Sequence, residues 1–392
     1  MSTSAFFFTA AVSFSLFLLP ARPLPTASSD VEALKAFKSA VNSSTIAPYS
    51  CLGSWDFAAD PCSLPRLTHF VCGVSCSGNR VTGLVLEGAG YSGTLTPAIS
   101  NLTYLITLDL SNNRFFGRIP ASLFSLPKLQ KLVLRGNSFS GPVPPSISML
   151  KSLQELDLSQ NWLSGSLPVS MNSLPSLRKL DLSYNRLTGP IPPLPPTLIT
   201  IAIKANSLSG YLQKSSFSGL TQLEVVELGH NSLAGKVESW FFQLPALQQV
   251  NLSNNCFTGL TVWKPVKGNR ELVAVDVGFN KIQGYLPENF AYYPGLLSLS
   301  LRYNRLRGSI PPQYGKQQSI RRLFLDGNFL KGSPPAGLFW SGGKGNSSAV
   351  AGSLGDNCLQ QCPRSSELCW KPQKPASICQ DVYGGKLSQD LS

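Results

Sequence analysis

Apolar positions recur along this chain in a fixed phase. In "LDLSNNRFFGRIP" (108–120), Leu108 and Leu110 stand two apart, and a polar turn, an apolar pair, a glycine and an Ile-Pro follow. The arrangement returns as "LVLRGNSFSGPVP" (132–144), "LDLSQNWLSGSLP" (156–168) and "LDLSYNRLTGPIP" (180–192). Period-two alternation predicts a short strand with both leucines on one face. The asparagines that follow, Asn113, Asn137, Asn161 and Asn185, are 24 residues apart. The series continues at Asn206, Asn231, Asn255, Asn280, Asn304 and Asn328, in steps of 21, 25, 24, 25, 24 and 24. One step back from Asn113 is Ala89, inside "LVLEGAGYSGTL", which makes about eleven units over residues 81–345.

No unit of this size buries its leucines alone. Stacking the strands in parallel buries a shared row of them, so the pattern predicts a solenoid. Each asparagine falls where the chain leaves its strand, and its amide can bond turn backbone groups from inside the stack. The glycine permits a tight turn, and the proline fixes φ and ends donation. The return leg, such as "ASLFSLPKL" (121–129), supplies leucines to the outer side of the core. Two places depart from this. "IPPLPPTLITIAIKAN" (191–206) is three residues short, and its prolines predict an extended return leg. The units at Asn206, Asn231 and Asn255 lose the proline, reading "GYLQ", "GKVE" and "GLTV".

The ends read differently. "SAFFFTAAVSFSLFLL" from Ser4 to Leu19 is uncharged and has the length of a signal-peptide core, so residues 1–29 are expected to be a secretory leader. "SDVE" from Ser29 reads as a helix capping box, and Val31, Leu34, Phe37 and Val41 form an apolar stripe that would cover one end of the core. Secretion sets the reading of the nine cysteines. Cys51, Cys62, Cys72 and Cys76 lie in an N-terminal cap (30–80), and Cys358, Cys362, Cys369 and Cys379 in a C-terminal cap and polar tail (346–392). Each cluster is expected to form two disulfides. Three pairings are open in each; the one taken at the N-terminus joins Cys62 to Cys76 and Cys51 to Cys72. The rival is zinc on His69, Cys72 and Cys76. Cys256 reads as a free thiol at a turn. After Cys379 the chain is polar, so no transmembrane helix or lipid anchor is expected in the mature chain.

The spacing "LxLSxNxLxGxIP" resembles that of plant extracellular leucine-rich-repeat proteins over roughly residues 81–335. "DVEALKAFKSAV", "GSWDFAADPC" and "CGVSC" are similar to the N-terminal cap of that family, although Cys72 stands where the family usually has tryptophan. "CLQQCPRSSELCWKPQKPASIC" looks like a C-terminal cap. Together these resemble receptor-like proteins without a kinase, of the Too Many Mouths-like kind, and more distantly polygalacturonase-inhibiting proteins. The implied fold is α/β: a right-handed leucine-rich-repeat solenoid, with a curved parallel sheet on its concave face and disulfide-bonded caps.

Chemistry narrows the function. The chain has two histidines, His69 and His230, and neither adjoins a nucleophile motif. No phosphate-binding glycine loop follows a strand. Asp109, Asp157, Asp181, Glu227 and Asp276 share one register, which follows from the "LDLS" pattern and does not mark a catalytic pair. The reading is a protein that is not an enzyme and needs neither cofactor nor metal. The formal net charge of +13 would attract an acidic polymer. Nucleic acid is not expected, since the chain is secreted and lacks a basic run interleaved with aromatics.

The outward strand positions make a concave arc on the order of 50 Å long. Aromatic and basic side chains gather there at Tyr184, Lys204, His230, Phe279, Arg302, Tyr303, Arg322 and Phe324. The last five are the expected binding cluster, because aromatics and arginine anchor well when desolvated. Sequons stand at Asn42, Asn101, Asn251 and Asn346. Asn251 points into the concave face, where a glycan would block the centre of the arc. The expected work is recognition of an extracellular peptide or protein, beside a receptor-kinase ectodomain as the resemblance implies. The alternative is an apoplastic or cell-wall module for a secreted hydrolase or for pectin, an acidic polysaccharide. The expected location is the apoplast or wall, or the outer plasma-membrane surface where a partner holds it.

Overall fold

The computed structural model describes residues 24–62, 73–265, 271–339 and 350–384. The period-two leucines form the predicted inner strands. They line up from Arg80–Val85 to Ala351–Ser353 in a 13-stranded sheet, parallel except where Val74–Ser77 pairs antiparallel at one edge. Register is uniform. Leu108 lies opposite Leu132, and Leu156, Leu180 and Ile201 continue the row, all five at 0% exposure. Each such side chain contributes roughly 1.5–3 kcal/mol of burial, and none could do so without its neighbours.

The asparagines act as rungs between units. Asn137 Nδ2 donates to the carbonyls of Leu110, Leu134 and Arg135 at 2.9, 3.1 and 3.2 Å, and its Oδ1 accepts the Phe115 N–H at 2.9 Å. A rung therefore satisfies its own turn and the unit before it. The ladder continues past Asn328 to Asn357, which takes the Leu325 carbonyl and the Leu330 N–H in the same way. The strand Ala351–Ser353 and this rung carry the repeat architecture beyond residue 345.

A second layer was not foreseen from the sequence. After each rung the chain alternates again, as in Arg114–Arg118, where Phe115 points inward. These segments build a sheet of eight parallel strands, from Ser92–Thr94 to Cys256–Leu260, and one of four, from Gln283–Tyr285 to Cys358–Leu359. All but Cys358–Leu359 contain the repeat glycine. Gly117 sits at φ 84°, a region that glycine enters without steric cost. The layer divides between Cys256–Leu260 and Gln283–Tyr285.

The return legs are mostly single turns of 3₁₀-helix, such as Ala121–Ser125 with Leu123 and Phe124 buried. Between Arg186–Gly189 and Thr200–Ala202 no helix forms, as the prolines predict.

The helix Ser28–Ser39 closes one end of the core with Ala33, Leu34 and Phe37, and Phe37 meets Phe115 at 5.9 Å between ring centroids. The expected capping box is absent. Ser29 lies inside the helix, whose N-cap is Ala27 with no side-chain cap. Asp30 instead turns inward at 0% exposure, takes two bonds from Arg80 at 2.8 and 3.0 Å, and accepts the Val81 N–H at 2.8 Å. The cap is thus fastened to the first inner strand by a buried charge pair.

Disulfides join Cys62 to Cys76, Cys358 to Cys379 and Cys362 to Cys369. Cys51 is buried. Its expected partner Cys72, together with His69, lies outside the described residues, and Cys76 of the zinc reading is oxidised. Cys256 carries a free thiol, and it opens a strand where a turn was expected. Residues 1–23 of the expected leader also lie outside the described residues. Among the described residues no helix is long and apolar enough to cross a membrane.

Candidate binding groove on the concave face

Uniform register turns strand positions into rows across the sheet. One row is Glu227, Asn251, Asp276, Ser300 and Phe324. The next is Gln249, Ala274, Ser298 and Arg322. Alternate strand positions share a face, so both rows point away from the leucine core. They line a groove of about 620 Å³, to which His230, Phe279 and Arg302 also contribute.

The row of carboxylates has structural work. Asp109, Asp157, Asp181 and Asp276 each accept, through Oδ1, the backbone N–H two residues on, at 2.9–3.0 Å. Asn251 Oδ1 accepts the Ser253 N–H at 3.0 Å in the same manner, and its Nδ2 donates to Glu227 Oε2 at 3.0 Å. These bonds hold the exit turn of each strand.

The residue just before each rung adopts left-handed φ. Tyr184, His230, Phe279 and Tyr303 do so at 56°, 56°, 54° and 51°, where other units place Gly136 and Gly327. A non-glycine residue there costs on the order of 1 kcal/mol. The surrounding backbone bonds hold it, as when Phe279 N–H donates to the Arg302 carbonyl at 2.8 Å.

Of the expected cluster, Phe279, Arg302, Arg322 and Phe324 line the groove. Phe279 and Tyr303 stack at 4.6 Å and 14°. The Arg302 guanidinium lies 5.7 Å from each of these rings and 5.1 Å from Phe324, within cation–π range. Arg302 also pairs with Asp326 at 3.2 Å, and Asp326 is 1% exposed. Tyr303 stands behind this wall, where its hydroxyl accepts from Lys371 Nζ of the C-terminal cap at 2.5 Å. Lys371 reaches Asp326 at 3.4 Å as well. The Tyr303 hydroxyl, and then Asp326 and Asp356, hold the Lys371 ammonium above its ordinary pKa. Among the described residues no carboxylate pairs with Arg322, and Ser300 Oγ and Arg302 Nε are buried without a hydrogen-bond partner.

Tyr184 and Lys204 do not join the cluster. They form their own pair, with Lys204 Nζ 5.7 Å from the Tyr184 ring, and stand four and three strands away from Phe279. Glu227, Asp276 and Ser300 belong to the groove but were absent from the expected set. The shared register held that signal, although "LDLS" alone gave no reason to separate them from other units. Nothing in the sequence pointed to Lys371.

The sequons differ in setting. Asn42 is exposed and caps the turn Ser43–Thr45, and Asn101 is exposed at the end of a return leg. Asn251 lines the groove, and Asn346 lies outside the described residues. Among the described residues no group of three His, Cys, Asp or Glu side chains is placed to hold a metal ion.

Rungs, stacked leucines and the disulfide-fastened end define a repeat solenoid of one kind. Residues 84–327 match the family described as "Leucine-rich repeat region", and residues 27–77 match "Leucine rich repeat N-terminal domain". The chain belongs to the leucine-rich-repeat family, and neither matching family is a catalytic one. It is similar to Receptor like protein 27 of Arabidopsis thaliana, 41% identical over 69 residues, which is 18% of this chain and 8% of that protein. In three dimensions it is similar to PEPR1 in the PEPR1-AtPEP1 structure, with a TM-score of 0.74, 29% identity, and coverage of 85% of this chain and 45% of that one. It is also similar to the plant peptide hormone receptor RGFR1 in complex with RGF2, with a TM-score of 0.62, 31% identity, and coverage of 68% and 42%. The chain spans less than half the length of each.

Proposed function

We propose that this protein is an extracellular recognition module that binds a peptide or a protein segment in the concave groove, beside a kinase-bearing receptor. One observation carries the reading. Phe279, Arg302, Arg322 and Phe324 present aromatic faces and guanidinium groups along a continuous groove, the side-chain types that dominate binding energy when desolvated. The similarity to receptor ectodomains solved with peptide ligands supports it. The test is binding of the purified protein to receptor-kinase ectodomains and to extracellular peptide fractions. The expected result is binding that Phe324→Ala and Arg322→Ala each weaken by about tenfold. Full affinity in both variants would remove the groove from the account.

A different surface favours a second reading. On the outer face of the four-stranded sheet, Gln283, Tyr285, Arg305, Arg307 and Phe329 line a cavity of about 510 Å³, and Tyr285 is 80% exposed. Arg305 and Arg307 pair with no carboxylate among the described residues. This patch suits an anionic wall component or an acidic face of a secreted hydrolase. Release of the protein from walls by high salt, lost in an Arg305→Gln/Arg307→Gln variant, is the outcome that would favour it.

A further inference from the structure

The groove is polarised. Glu227 and Asp276 stand on its N-terminal side, and Arg302 and Arg322 on its C-terminal side. Arg302 shares its charge with Asp326, whereas Arg322 does not. Between the two ends the residues are small. Ala274, Ser298 and Ser300 lie on adjacent strands and raise no bulk above the sheet. Ser300 lines the groove at 7% exposure, and its buried Oγ has no hydrogen-bond partner among the described residues. A buried hydroxyl left unpaired is destabilising, so it marks where a ligand acceptor belongs. Phe279 follows the strand of Asp276 and Phe324 lies on the strand of Arg322, so the two rings flank the strand Ser298–Ser300.

We infer that the groove selects an extended peptide segment of mixed charge. One cationic side chain lies against Glu227 and Asp276, one anionic side chain lies against Arg322, and a backbone carbonyl between them accepts from Ser300 Oγ. An apolar side chain packs between Phe279 and Phe324. The length follows from strand spacing. Four steps of about 4.8 Å separate the strand of Glu227 from that of Arg322, or roughly 19 Å. An extended chain covers that in about six residues. This assignment rests on the reading of the groove as a peptide site and adds the chemistry of its occupant.

The experiment uses the full secreted protein and hexapeptide pools, N-acetylated and C-amidated so that only side chains carry charge. The first and last positions are Lys/Glu, Glu/Lys, Lys/Lys or Glu/Glu, and the central positions are randomised among neutral residues. Both mixed pools are included because a peptide can enter in either direction. The expected result is that at least one mixed pool is retained roughly fivefold better than either like-charged pool. Arg322→Glu is expected to move the preference to Lys/Lys, and Glu227→Lys/Asp276→Lys to move it to Glu/Glu. Thermal melts of each variant establish that it is folded. Retention of all pools alike, reduced by Phe324→Ala, would overturn the charge assignment and leave the groove as a peptide site. Retention of no pool by any form would overturn both. A preference that Arg322→Glu leaves unmoved in a folded protein would also overturn the assignment.

Discussion

Lys371 and Tyr303, 68 residues apart in the chain, meet at 2.5 Å between ammonium and hydroxyl. The contact joins the C-terminal cap to the aromatic wall of the groove, and Asp326 lies between Lys371 and Arg302 as their common counter-charge. The cap therefore braces the wall of the groove in addition to covering the end of the core. Lys371→Met leaves the almost fully buried Asp326 with one cation. The expected loss is about 1–3 kcal/mol in denaturant unfolding. An unchanged midpoint would show that the brace carries no load.

A rung should be worth more than one ordinary hydrogen bond. Asn161, 4% exposed, bonds the Leu134, Leu158 and Ser159 carbonyls and the Phe139 N–H. Asn161→Ala strands several of these groups, with an expected cost of about 2–4 kcal/mol. Hydrogen exchange locates the damage: the Phe139 amide should lose protection first, ahead of amides two units away.

The Asp30–Arg80 pair predicts an asymmetry. Arg80→Ala leaves a carboxylate at 0% exposure with only the neutral Val81 N–H and Ser29 hydroxyl donating to it, and the expected loss is about 3–5 kcal/mol. The double variant Asp30→Leu/Arg80→Met removes both charges and should be markedly less damaging than Arg80→Ala alone. Equal losses would mean that the pair is not what fastens the cap.

Two carboxylates set a pH dependence. Burial raises Glu155, but the bonds from Lys179 and then Lys131 outweigh it and hold the group below its usual value. Burial likewise raises Glu87, and the Tyr91 hydroxyl at 2.5 Å and the Cys51 N–H reverse it. A depressed carboxylate contributes stability above its unfolded pKa and loses it as pH falls through the folded value. Stability should therefore decline from about pH 4.5 downward. Tyr91 is pushed up to about 12 by burial and by Glu87, so its contribution is complete below about pH 10 and is lost as pH rises toward 12. Melts across both windows test this. Tyr91→Phe should flatten part of the alkaline limb, although Tyr293, also pushed up to about 12 by burial, retains its share.

Asn251 and the groove compete for the same space. A glycan on Asn251 is expected to abolish binding there. Glycopeptide mass spectrometry gives its occupancy, and Ser253→Ala removes the sequon while keeping the asparagine. If a sizeable fraction is occupied, Ser253→Ala should raise the active fraction in proportion. Binding by the fully glycosylated form would place the ligand elsewhere.

The inner sheet and its ladder were legible because one leucine register and one asparagine per unit determine them, and both survive in every repeat from Asn113 to Asn328. The second layer was not. Its strands are two to six residues long, and most are polar outside and interrupted by glycine, so they read as turns. The aromatic and basic wall of the groove was visible as an accumulation of large residues in outward slots. Its acidic end was hidden, because Glu227 and Asp276 occupy the slot that in other units only holds the turn. The role of Asp30 was not legible because the capping box "SDVE" rests on Ser29 and Glu32 nearby, whereas the partner of Asp30, Arg80, lies 50 residues on.

Every rung reaches backward, and this carries a consequence for how such a chain can change over generations. The first, Asn113, takes the Glu87 carbonyl and the Tyr91 N–H, which belong to the unit adjoining the N-terminal cap. Its grip on the preceding unit is repeated at Asn357. A deletion inside a unit breaks two rungs, whereas removal of a whole unit between equivalent points leaves every remaining rung with a predecessor of the same shape. Inheritance can thus lengthen or shorten this arc in whole steps, and each step carries one column of concave side chains with it. The ladder makes the recognition surface editable by recombination while the leucines beneath it stay in phase.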